Sequence, residues 1–133
     1  MNLRVEGVWC KTKTEFDRLT RSQECDLAVS FSDVQARLIK SDPYGQEPSD
    51  TIISLYIMKL INRVLLDRKD ESATKIIYMF KNLDKDTVCN FKEFMQSFSE
   101  ETVEFNLTII NRTDYPKRGV LSKFHNVKFV END

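Results

Sequence analysis

The stretch Gly7-Val8-Trp9-Cys10-Lys11-Thr12-Lys13-Thr14 decides how the chain is read. Before it, NLRVEG (Asn2–Gly7) alternates apolar and polar residues, as a short strand does. After it, TKTEFDRLTRS (Thr12–Ser22) places Phe16 and Leu19 on one helical face. A strand that runs through a short turn into a helix is the opening unit of an α/β sheet, and the fold class depends on whether the remaining residues repeat that unit.

They do. DLAVSF (Asp26–Phe31) has strand composition, and VQARLIK (Val34–Lys40) fits either helix or strand. SDPYGQEPSD (Ser41–Asp50) collects two prolines and a glycine and reads as a loop. Ser49 is placed to cap a helix from Asp50 to about Leu66, with Ile53, Ile57, Leu60, Ile61 and Val64 as its apolar stripe. TKIIYMF (Thr74–Phe80) is a continuous apolar run of strand length, suited to a strand buried on both faces of a parallel sheet. TVCNFKEFMQSF (Thr87–Phe98) is helical, with Asp86 or Thr87 as its cap. VEFNLTII (Val103–Ile110) and NVKFVE (Asn126–Glu131) are two further strands. This alternation predicts one α/β domain over residues 1–133, with a parallel five-stranded sheet and helices on both faces. Right-handed crossovers limit its topology, and ligands of such sheets sit at the carboxyl ends of the strands.

Composition narrows the function classes. The chain has 133 residues, 41% hydrophobic and 31% charged, with a net charge of −1. A near-neutral balance of mixed signs does not imply general affinity for nucleic acid or anionic membrane. TIISLYIMKLINRVLL (Thr51–Leu66), interrupted by Lys59, Asn62 and Arg63, is too short and too polar to span a bilayer. Met1 is followed by polar and charged residues, so no signal peptide is read there. Cys10, Cys25 and Cys89 are an odd number without CxxC spacing, which suits reduced intracellular thiols packed as small apolar groups. His125 is the sole histidine, so no histidine-based metal cluster is expected. NLDKDTVCNF opens like a calcium loop at Asp84 and Asp86, yet lacks the sixth-position glycine and the spaced glutamate; a helix start is expected.

The opening stretch also approaches the phosphate-binding pattern GxxxxGK[ST]. Gly7 supplies the first glycine, Lys13 the lysine and Thr14 the hydroxyl residue, while Thr12 stands in place of the second glycine. A β-branched residue there obstructs the backbone wrap around phosphate. Two readings stay open: a degenerate phosphate loop and an ordinary strand-to-helix turn. Trp9 serves either as core or as an exposed anchor.

Two later segments carry a family resemblance. IYMFKNLD (Ile77–Asp84) resembles the third strand of AAA+ ATPases, with Lys81 and Asn82 where that family has Asp-Glu, and with Leu83 and Asp84 matching its flank. LTIINRTDYPKRGVLSKFHNVKF (Leu107–Phe129) resembles the sensor-1 strand and following segment of the origin-recognition branch. Asn111 matches the sensor asparagine, Asp114, Pro116 and Arg118 match the loop, and Ser122 and Phe124 match its end. The resemblance implies an AAA+-like core that ends where the family's helical lid would begin. It implies Gly7, Lys13, Thr14 and Asn111 as vestiges of a nucleotide site. Its departures imply no ATPase: Lys81 repels the metal that hydrolysis needs, and Asn82 supplies no base.

The expectation is therefore a protein without catalytic residues, metal or cofactor. It would act as an interaction scaffold for protein partners in a DNA- or chromatin-bound assembly of the origin-recognition or silencing type, located in the nucleus. Arg112, Lys117, Arg118, Lys123 and Lys128 are either a solvated basic segment or a contact for DNA or an acidic partner. One alternative is a loader-type regulatory subunit that binds nucleotide without hydrolysing it. Another is a small α/β regulator unrelated to AAA+ proteins.

Overall fold

A computed structural model describes residues 3–67, 74–97, 103–114 and 116–131. In chain order the elements are β1 (Leu3–Cys10), α1 (Lys13–Arg21), β2 (Leu27–Ser30), α2 (Phe31–Ser41), α3 (Asp50–Asp67), β3 (Thr74–Met79), α4 (Lys85–Ser97), β4 (Glu104–Ile110), α5 (Arg118–Leu121) and β5 (Asn126–Val130). The five strands form one sheet in the order β2-β3-β1-β4-β5, with every neighbouring pair parallel.

Strand order and handedness determine where the helices lie. The step from β1 to β2 runs one way along the sheet, and the steps to β3, β4 and β5 run the other way. Right-handed crossovers then place α1 on one face and the remaining helices on the opposite face. The packing follows this division. Phe16 of α1 joins Val8, Cys10, Ile77 and Ile110 in a small cluster. The opposite face carries the main core, where Val5, Trp9, Ile76 and Phe105 meet Val34, Ile57, Val88 and Val120. Ile53, Ile57, Ile61 and Leu65 form the buried stripe of α3 at four-residue intervals. Leu65 takes the place expected for Val64, which is only half-buried. Each such side chain contributes about 1.5–3 kcal/mol by leaving water.

Some boundaries differ from the sequence expectation. β1 continues three residues past Gly7, because Val8, Trp9 and Cys10 pair with Thr108, Ile109 and Ile110 of β4. Phe31 does not end a strand but opens α2, with Ser30 as its N-cap, so the ambiguous VQARLIK is helical. α4 begins two residues early because Asp84 caps it: its carboxylate accepts from the Thr87 N–H at 2.9 Å and from the Thr87 hydroxyl at 2.8 Å. The segment after β4 contains the single turn α5. Asn2 and Phe98, assigned above to a strand and a helix, lie outside the described residues.

Candidate functional site

In open parallel sheets a ligand crevice forms where successive crossovers leave in opposite directions. Here that point is the carboxyl end of β1 beside β4. The turn leaving β1 consists of Lys11 and Thr12 alone, since Cys10 is still in the strand and Lys13 already begins α1. Thr12 is the N-cap of α1. Its backbone is extended, and its hydroxyl accepts from the Glu15 N–H at 3.4 Å while donating to Glu15 Oε1 at 2.9 Å. Thr12 and Glu15 thus form a variant of the capping box, in which a threonine cap and an acidic residue three positions on satisfy each other. The second Glu15 oxygen accepts from Asn111 Nδ2 at 3.0 Å.

Asn111 is the one described residue other than glycine with positive φ, at 52°. Asparagine tolerates this left-handed region better than most side chains. The turn carries its amide to Glu15, while its N–H donates to Val130 O at 2.9 Å. The start of α1, where the helix dipole would favour an anion, is therefore occupied by the chain's own Glu15 carboxylate. Next to it the Arg112 guanidinium lies 3.7 Å from the ring centroid of buried Trp9 and donates to Asp114 at 3.1 and 2.6 Å. That pairing holds the Asp114 carboxyl below its ordinary value. Cys10 Sγ donates to Thr12 O at 3.3 Å. Burial, reinforced by the nearby Glu15 charge, pushes the Cys10 thiol up to about 11, so it stays protonated and poorly nucleophilic near neutrality.

The expected site residues divide accordingly. Gly7 is not in a loop. It pairs with Tyr78 and Leu107 inside the sheet, and an added Cβ would fall 2.6 Å from the Phe80 ring and 3.2 Å from Asn106 O. Its glycine character serves close packing. Lys13 is exposed at the start of α1, and its ammonium lies 3.0 Å from the Asp33 carboxylate of α2. That hydrogen bond raises the Lys13 pKa. Thr14 lies in the first turn of α1. Lys81 leaves β3 to lie over the Phe31 ring, at 5.3 Å from its centroid.

The basic residues do not form one patch. Arg112 is engaged by Trp9 and Asp114, while Lys117 and Arg118 lie at the start of α5. Lys123 follows that turn, where its carbonyl accepts from Lys92 Nζ at 2.8 Å. Lys128 pairs with Thr108 and so points to the α1 side of the sheet, opposite α5. Among the described residues no group of three or more His, Cys, Asp or Glu is placed to hold a metal ion, and no helix is long and apolar enough to cross a membrane.

Sequence reasoning missed Glu15, although its signal was present: Thr12-Lys-Thr-Glu15 is a capping-box spacing, overlooked because Thr12 was read as a failed glycine. Nothing in the sequence announces the Trp9–Arg112 stack, which depends on β1 and β4 being neighbours. Compared with known proteins, the chain matches no family model, no curated protein and no solved structure.

Proposed function

We propose that this protein is a non-catalytic interaction module, an AAA+-like core used for its surfaces. It holds protein partners together in a DNA- or chromatin-bound assembly in the nucleus. The observation that carries the non-catalytic part is the Glu15 carboxylate at the start of α1, held by Thr12 and Asn111 where a phosphate would otherwise sit. A phosphate there would meet a like charge and a two-residue turn whose flanking strand amides are committed to the sheet ladder. The partner-binding part draws on α3, which is apolar on more than its buried stripe: Ile52, Leu55 and Leu66 are each more than half exposed. The chromatin setting and the nuclear location rest on the resemblance of Leu107–Phe129 to the origin-recognition branch.

A second reading, a small α/β regulator unrelated to AAA+ proteins, is favoured by a different observation. Several residues that carry the resemblance have a local duty in this fold. Asn111 holds Glu15, Asp114 holds Arg112, Ser122 donates to Gly119 O at 2.9 Å, and Phe124 stacks on Phe105. Binding of the purified chain to reconstituted nucleosomes and to free duplex DNA separates the two. The scaffold reading expects a nucleosome complex reduced by Leu55→Ser with Leu66→Ser, and weak or no binding to free DNA. The regulator reading expects neither complex.

A further inference from the structure

Away from the α1 turn, a cleft of about 220 Å³ opens between the N-terminal parts of α3 and α4, at the carboxyl ends of β2 and β3. Its aromatic lining is organised. The Tyr78 ring stacks on Phe91 with centroids 4.2 Å apart and planes 16° from parallel, and Phe31 and Phe94 also line the space. Asp50, Ser54, Lys81 and Asn90 bring polar groups to it.

Two of its polar groups have no hydrogen-bonding or carboxylate partner among the described residues. Tyr78 is 3% exposed, yet no group among the described residues hydrogen-bonds its hydroxyl. Its oxygen is not among the sealed, unpartnered atoms of the interior, so the phenol opens to the cleft as a donor that a bound acceptor can take up. Burial raises the Tyr78 pKa far above its ordinary value, which keeps that proton in place. Lys81 is the one cationic residue of the lining and has no carboxylate partner among the described residues; its ammonium lies over the Phe31 face. Asp50, the one acidic residue of the lining, lies in the first turn of α3, where the helix dipole already stabilises its charge. The first turn of α4 also opens onto the cleft at Thr87. The lining thus carries one cation and one carboxylate: the Asp50 charge adds to the rise in the Tyr78 pKa, while Lys81 is left without a carboxylate partner among the described residues, and the walls are aromatic.

We propose that this cleft binds a small planar aromatic anion. The ring packs against Phe31, Phe91 and Phe94, a carboxylate or phosphate pairs with Lys81, and a ring oxygen or nitrogen accepts from the Tyr78 hydroxyl. The volume is below the roughly 300–1,000 Å³ typical of sites for drug-sized ligands, which suits one ring or a fused pair with a single anionic group. The cleft is separate from the α1 turn; Leu55 lines it and also belongs to the exposed side of α3 proposed above for partners, but the ligand proposal does not depend on that reading.

The test is two-dimensional amide NMR of the full chain titrated with phenyl phosphate, benzoate and adenosine 5′-monophosphate, with methyl phosphate and phenol as controls. The expected result is saturable shifts at Lys81, Asn82, Asn90 and Phe91 with at least one aromatic anion, and none with either control. Lys81→Gln should weaken that binding about tenfold or more, as loss of a charge-assisted contact does. Tyr78→Phe, which keeps the ring, should weaken it about threefold or more for an anion with a ring acceptor, the loss of one neutral hydrogen bond. Whichever anion binds most tightly identifies the anionic group. The proposal is overturned if no aromatic anion gives saturable shifts at these residues up to about 10 mM. It is equally overturned if Lys81→Gln binds as the wild type does.

Discussion

Single residues give the account its sharpest tests, and Gly7 is the first. If its role is to let Phe80 approach the sheet, Gly7→Ala should lower stability by about 1–3 kcal/mol through overpacking, measured as a fall in the urea midpoint at constant slope. A glycine retained for phosphate contact would tolerate the methyl group. Cys10 gives a pH prediction. Its folded pKa, about 11, lies above the ordinary value of 9.0. The neutral thiol therefore contributes stability that is fully present below pH 9 and is lost as pH rises through about 11. Iodoacetamide should accordingly modify Cys10 slowly at pH 8, with a rate that keeps rising toward pH 11, followed by peptide mass spectrometry. Fast labelling at pH 8 would mean that the thiol is neither buried nor beside Glu15. Thr12 shows how a residue is misread when one pattern is imposed on it. As the second glycine of a phosphate loop it is a defect, and as an N-cap paired with Glu15 it is the residue that the helix start requires.

At the scale of elements, Asp84 caps α4, and Asp84→Ala should cost about 1 kcal/mol. The cap lowers the Asp84 pKa below its ordinary value of 3.8. Its contribution is thus present above that value and fades as pH falls through the lower folded value, so the variant should differ less from wild type in strong acid. Thermal denaturation of both proteins at neutral and acid pH measures this. On α3, Ile57→Ala should cost about 2–5 kcal/mol by opening a core cavity. Leu55→Ser on the exposed side should change stability by less than about 0.5 kcal/mol. That contrast is what makes Leu55 usable as an interface probe. Most elements were legible from period and punctuation. The four-residue rhythm of Ile53, Ile57 and Ile61, the unbroken run Thr74–Phe80 and the proline-rich Ser41–Asp50 each admit one reading. The failures lie at junctions. Nothing local tells Val8–Cys10 to stay in the sheet; pairing with β4, about a hundred residues away, does. Phe31 looks like a strand residue until Ser30 is recognised as a cap.

For the whole molecule, the parallel class followed from alternation, while the order β2-β3-β1-β4-β5 did not, because alternation does not say on which side of β1 each later strand adds. That order brings Glu15 to Asn111 and Arg112 to Trp9, and among the described residues it leaves α1 as the one helix on its face. The amino half of that face carries a polar network instead of a helix. Asn106 donates to Glu6 and Glu104 at 3.1 Å each and accepts from Asn126 at 3.0 Å, and Arg4 donates to Glu6 at 2.7 Å. The central claim is that the carboxyl edge of β1 is closed by the protein's own carboxylate and holds no nucleotide. Calorimetric titration of the purified chain with ATP, with and without Mg²⁺, tests it most directly. The account predicts no binding heat up to millimolar nucleotide for the wild type. Binding that is abolished by Lys13→Ala would contradict it and would make the α1 turn a working phosphate site.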